Sequence, residues 1–168
     1  YGTFKQDLTK DDLINQLRLD PNHFNRIEAM AQLNDIQRIR LMKDPDAKID
    51  LWWIDLFGEI LDDRSLSNSL KSRMLLIGED PLDRRYIAWY REQVIAKEKL
   101  MKAINKVYKE RLISEFMKLD TYKKEPLEKG LKDRMLKSIL LGLISIEDSP
   151  DAHKIIIDHY RNATTPTD

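Results

Sequence analysis

Apolar residues recur at steps of three and four along almost the whole chain, and no stretch alternates apolar with polar as a half-buried strand would. Thr9 with Asp12 three residues on predicts a capping-box start to a short helix bearing Leu13, Ile14 and Leu17. From Asn22 to Met42, Phe24, Ile27, Met30/Ala31, Leu33, Ile36 and Ile39 form one stripe on a long helix. Ala47–Leu61 is apolar on nearly every face, which predicts a helix buried between two layers. Ser65–Ile77 carries Leu66, Leu70 and Met74 at four-residue steps, with Gly78 placed as a C-terminal cap residue.

Pro81–Leu119 is the longest helical run. One stripe holds Ile87, Tyr90/Arg91 and Val94, another Leu100, Ile104, Val107/Tyr108 and Arg111/Leu112, and a break is expected near Ile95–Glu98. Pro126–Ile144 brings Leu127, Leu131, Met135/Leu136, Ile139/Leu140 and Leu143, and Pro150–Ala163 closes the series. Proline punctuates these runs. Asp20-Pro21, Asp44-Pro45, Asp80-Pro81, Glu125-Pro126 and Ser149-Pro150 read as helix starts, because a capping oxygen takes an orphan N–H and proline has none to lose. The fold expected is all-α, an irregular antiparallel stack of helix hairpins (an α-α superhelix) with seven to nine helices. Short connections make successive helices antiparallel neighbours. No period of about 30–47 residues with matching signature residues is visible, which argues against the named helical repeats.

The 168 residues form a single helical domain, 1–168. Lys+Arg and Asp+Glu both number 29, so the formal net charge is zero. That argues against a nucleic-acid partner held by phosphate neutralisation and against a polybasic membrane module. Apolar runs such as Ile49–Ile54 fall far short of the ~20 residues of a membrane helix. With no cysteine, disulfides, thiolate metal sites and cysteine nucleophiles are excluded together.

Little in the chain points to chemistry. His153 and His159 lie six residues apart, rotated off a common direction, and His23 is remote, so no metal site is expected. Asp44/Asp46, Asp62/Asp63, Glu79/Asp80 and Glu147/Asp148/Asp151 flank the turns and read as caps rather than as a catalytic pair. The basic run Arg84, Arg85, Arg91, Lys97, Lys99, Lys102, Lys106, Lys109 and Arg111 is interleaved with Glu92, Glu98 and Glu110 and reads as a solvated helix face. A part in lining an anion or peptide stays open for some of it. Trp52, Trp53 and Trp89 read as core. No catalytic, cofactor-binding or metal-binding residue is assigned.

Two stretches carry a family resemblance. Phe24-Asn25-Arg26-Ile27-Glu28-Ala29-Met30-Ala31-Gln32-Leu33 resembles the "F-N/S-R-W-E/D-A-x-Q-x-L" opening of the C-terminal helical domain of aminopeptidase N, the alanyl aminopeptidase type of zinc exopeptidase, with Ile27 in place of Trp. Ala163-Thr164-Thr165-Pro166-Thr167-Asp168 is similar to that domain's "A-T-N-M-T-D" segment, with Thr165-Pro166 for Asn-Met. Between them, Ile60–Leu66 resembles the family's "L-L-D-x-x-L" turn and Lys132–Gly142 its "K-R-x-L-K-N-x-x-L-x-x-L" helix, so the likeness spans about residues 22–168.

The resemblance implies a piece of a larger C-terminal helical domain of a multidomain cytoplasmic enzyme. A start at Tyr1 and a stop inside the second motif agree with that expectation. The parent would remove N-terminal amino acids from peptides. Its zinc would be held elsewhere by HExxH and a more distant Glu, with a GAMEN-type loop for the free amino end. This piece would be inert alone, with no cofactor of its own. It would enclose the peptide cavity, its partners being the remaining enzyme domains and the parent's peptide substrates, with no nucleic acid and no membrane. The alternative is an independent helical-repeat scaffold that binds protein partners. A third reading is a regulatory helical domain that senses a small ligand.

Overall fold

A computed structural model of the chain describes residues 8–78, 81–119 and 127–163. Among them are seven α-helices: α1 Lys10–Leu19, α2 His23–Lys43, α3 Leu51–Asp62, α4 Asn68–Met74, α5 Tyr90–Lys118, α6 Leu127–Ser145 and α7 Pro150–Asn162. A 3₁₀ turn, Arg84–Tyr86, precedes α5, and the described residues contain no strand. The expected all-α class holds.

The caps show where local sequence decides. Thr9 and Asp12 form the expected capping box, Thr9 N donating to the Asp12 carboxylate at 3.0 Å and Asp12 N to Thr9 Oγ1 at 3.2 Å. Ser149 caps α7 with Pro150 in its first turn. Two other Asp-Pro pairs behave differently. Asp20 closes α1, and α2 starts two residues later at the N-cap Asn22. Asp44 closes α2, and α3 waits until Leu51. In both, the proline ends one helix rather than opening the next, since the residue before it is held extended. Asp80 and the Glu125-Pro126 pair lie outside the described residues, although α6 begins directly after Pro126.

Two further expectations are corrected. Helix α4 ends at Met74, so Gly78 is no helix cap and has no left-handed backbone. The long run is not broken near Ile95–Glu98. The interruption falls at residues 87–89, where Gln93 Nε2 donates back to the Tyr86 carbonyl at 2.8 Å and closes the 3₁₀ turn onto α5.

Packing joins α1 to α2 and α5 to α6 as tight pairs, while α2 also packs on α4 and α5. Helix α4 lies against both α2 and α6, and α7 rests on α6. Helix α3 touches α2, α4 and α5, which is why it is apolar nearly all round. Trp53, Leu56 and Phe57 are fully buried there, the two rings 4.8 Å apart. Each such side chain contributes roughly 1.5–3 kcal/mol of burial energy against the entropy of ordering it. The α2 stripe differs from the expected one: Phe24 is 81% exposed and Ile36 39%, while the polar Asn34, Gln37 and Arg38 are buried.

Candidate functional site

These buried polar residues are the unexpected feature of the interior, and each is matched to a partner far along the chain. Asn34 Oδ1 accepts from the Trp53 indole at 2.8 Å. Gln37 Nε2 donates to the Asp50 carboxylate at 2.9 Å, and Asp50 N donates back to Gln37 Oε1 at 3.2 Å. Arg38 donates to Asp35 at 3.1 Å and to the Gly78 carbonyl at 2.9 Å. Asp35 in turn accepts from the Leu82 and Asp83 amides at 2.7 and 3.2 Å. Burial pushes the Asp35 carboxyl above the usual carboxylate range, opposed by Arg38 and the two amides.

A second set of side chains reaches carbonyls near helix ends. Arg26 Nε donates to the Leu17 carbonyl of α1 at 2.7 Å, Lys71 Nζ to Leu61 of α3 at 2.8 Å, and Asn105 Nδ2 to Leu143 of α6 at 3.0 Å. The last carbonyls of a helix have no intrahelical donor, so a buried side chain from a neighbour satisfies them. These polar groups act as pins between helices. Nothing in their arrangement presents a nucleophile with an adjacent base.

The sequence-level candidates are dispersed. His23 is exposed, His153 pairs with Asp148 at 2.8 Å, and His159 meets the Phe116 ring edge-on at 5.6 Å. Among the described residues no three His, Asp or Glu side chains gather as a metal site would need. Asp44 turns onto its own neighbour Asp46 N at 3.0 Å, Asp62 pairs with Arg111, and Asp63 takes Ser65 and Arg26. Glu147 pairs with Lys109 at 2.9 Å. Glu79 and Asp80 lie outside the described residues.

Three residues of the basic run on α5 serve as cross-bracing. Lys99 donates to the Pro45 carbonyl, Arg111 reaches α3 and Lys109 the α6–α7 connection. Exposed pairs of this kind are worth about 0–1 kcal/mol each. Trp53 is core, whereas Trp89 is 40% exposed and packs edge-on against Tyr86. Trp52 is half-buried, with Lys10 Nζ 5.6 Å from its ring centre. Leu82, Ile87, Trp89, Tyr90 and Val94 together expose apolar surface around the start of α5.

The concave feature of most interest was not foreseen. One cavity of ≈ 240 Å³ opens between α2 and the end of α4, and another of ≈ 430 Å³ between α4 and α6. They share Arg73 and Leu76, so they adjoin across these two side chains. Sequence periodicity misses such a groove because three helices far apart in the chain build it. No local signal marks it, since α4 is the short and mostly polar segment Asn68–Met74 and Leu76 lies just past its end.

No helix among the described residues is long and apolar enough to cross a membrane. A family model described as "Domain of unknown function (DUF3458_C) ARM repeats" matches residues 10–168. No curated protein matches the chain. The repeat description corrects the expectation drawn from the missing period. The described helices range from 7 to 29 residues, and units stretched so unevenly leave no single period to read.

Proposed function

The chain belongs to the DUF3458_C family of ARM-repeat helical domains, and from that premise we propose that it is a non-catalytic part of the C-terminal helical domain of an aminopeptidase N-like zinc peptidase. The observation that carries this reading is the motif series from Phe24 to Asp168, which falls within the matched span 10–168. The exposed apolar residues around the start of α5 agree with it, since a wall of a larger enzyme keeps apolar surface for its neighbours. In the parent, a zinc-activated water held by another domain would attack the first peptide bond. This domain would narrow access to the cavity so that short peptides and unfolded ends enter. The parent is read as cytoplasmic and independent of membranes.

The reading is tested on the longer reading frame and its product. The frame upstream should encode HExxH and GAMEN-like strings. The whole protein should hold stoichiometric zinc and release an anilide from an alanyl anilide, and a chelator should abolish that release. Residues 1–168 alone should do neither. An upstream frame without HExxH, or zinc held stoichiometrically by residues 1–168, overturns it.

The α2–α4–α6 groove favours a second reading, an independent repeat scaffold that binds protein partners. The same frame separates the two, since the scaffold needs no peptidase domain beside it.

A further inference from the structure

The groove is built from regularly spaced positions on its long walls. Helix α2 contributes Ile27, Ala31, Asn34 and Arg38, and α6 contributes Leu131, Arg134 and Ser138, so each presents one face. Between them stand Arg73, near the end of α4, and Leu76, just past it. Leu76 and Leu82 are each 51% exposed and Leu131 56%, which leaves apolar anchors open to solvent along its length.

Among the described lining residues, basic groups outnumber acidic ones along the groove. Among the described residues, the cavity between α4 and α6 is lined by the guanidinium groups of Arg73 and Arg134, the latter already engaged, and by no carboxylate. In the adjoining cavity the one carboxylate is Asp35, and its oxygens are already engaged by Arg38 and by the Leu82 and Asp83 amides. Arg73 is exposed on the wall common to both. A guanidinium presents a planar fork of donors that matches a carboxylate. The nearby leucines match apolar side chains rather than a polyphosphate chain, and the chain as a whole has no basic excess.

We propose that the α2–α4–α6 groove docks an acidic amphipathic segment of a partner protein, its apolar side chains seated on Leu76 and Leu131 and a carboxylate on Arg73. The inference stands on the groove alone and does not need the peptidase reading.

The test uses the whole chain and three fluorescein-labelled helical peptides that carry leucine on one face, with Glu, Gln or Lys at the flanking positions. The Glu peptide should bind saturably and weaken with added salt. The Gln peptide should bind about tenfold more weakly, the scale of losing one charged contact, and the Lys peptide should not bind. Arg73→Glu should abolish binding of the Glu peptide and Leu131→Ser should weaken it. Both residues are exposed, and circular dichroism checks that the variants stay helical. Arg84→Glu, on the 3₁₀ turn, should change nothing. Amide shifts in ¹⁵N-labelled protein should map to α4 and the facing turns of α2 and α6. Failure of the Glu peptide to bind, equal binding of the Glu and Lys peptides, or indifference to Arg73→Glu overturns the proposal. So does a concentration-dependent dimer lost in Arg73→Glu, which would make a second copy of the chain the occupant.

Discussion

The indole N–H of Trp53 on α3 donates to the side-chain oxygen of Asn34 on α2 at 2.8 Å, with both residues almost wholly removed from solvent. A buried donor without its acceptor bears its full desolvation cost, about 1–3 kcal/mol. Asn34→Leu should therefore lower unfolding stability by about that amount, measured by urea titration. Adding Trp53→Phe to Asn34→Leu removes the stranded donor, so the double variant should lose less than the two single losses combined. Additive losses would mean the pair is not coupled.

Gly58 gives a second test. A Cβ built there would stand 2.8 Å from Cζ of Tyr108, whose hydroxyl donates to the Ile54 carbonyl at 3.2 Å. Gly58→Ala gains about 1 kcal/mol of helix propensity but displaces the tyrosine and its hydrogen bond. The net effect should be destabilising by about 1 kcal/mol, within the range for overpacking. Tyr108→Leu should turn the same substitution stabilising, as read from thermal unfolding midpoints.

Asp63 and Asp50 contribute to the acid limb. Hydrogen bonds from Ser65, then from Arg26, hold the Asp63 carboxyl below 3.8, and those from Gln37 and Arg40 do the same for Asp50. A carboxylate with a lowered folded pKa contributes stability that is present above the unfolded value, and it is lost as pH falls through the folded one. Stability should therefore drop below pH 3.8, the ordinary value. Asp63→Asn should flatten that limb, and an unchanged slope in the variant would refute the assignment.

Lys71 acts at the other end of the pH scale. Burial lowers its pKa from 10.5, so the folded protein releases this proton before the unfolded chain does. The unfolded state then binds more protons, and stability from this group rises with pH between the folded value and 10.5. The neutral amine still donates to the Leu61 carbonyl. Relative to Lys71→Met, the natural protein should gain stability as pH is raised from neutral toward 10, followed by guanidinium unfolding.

Helix existence was legible because periodicity and caps are local. Thr9 with Asp12, and Ser149 with Pro150, needed only their own neighbours. The polar pins were not legible, since Asn34 finds Trp53 19 residues away and Asp35 finds Leu82 47 away. A scale that scores Gln37 and Arg38 as solvent-facing therefore drew the α2 stripe through Phe24 and Ile36 instead. Gly78 misled for a related reason: its carbonyl is held by Arg38 across the fold, not by a helix end of its own.

The pins on α2 also govern how this assembly bends. Sliding that helix by one turn, about 5.4 Å, would break Asn34–Trp53, Gln37–Asp50 and Arg38–Gly78 together. The first half of the stack thus behaves as a ratchet locked at a single tooth. At Ile146–Ser149, by contrast, α7 is tethered by the exposed pairs Lys109–Glu147 and His153–Asp148. Helix α7 also rests on α6 and buries Ala152 and Ile155, so non-directional apolar contact holds it where directional bonds hold α2.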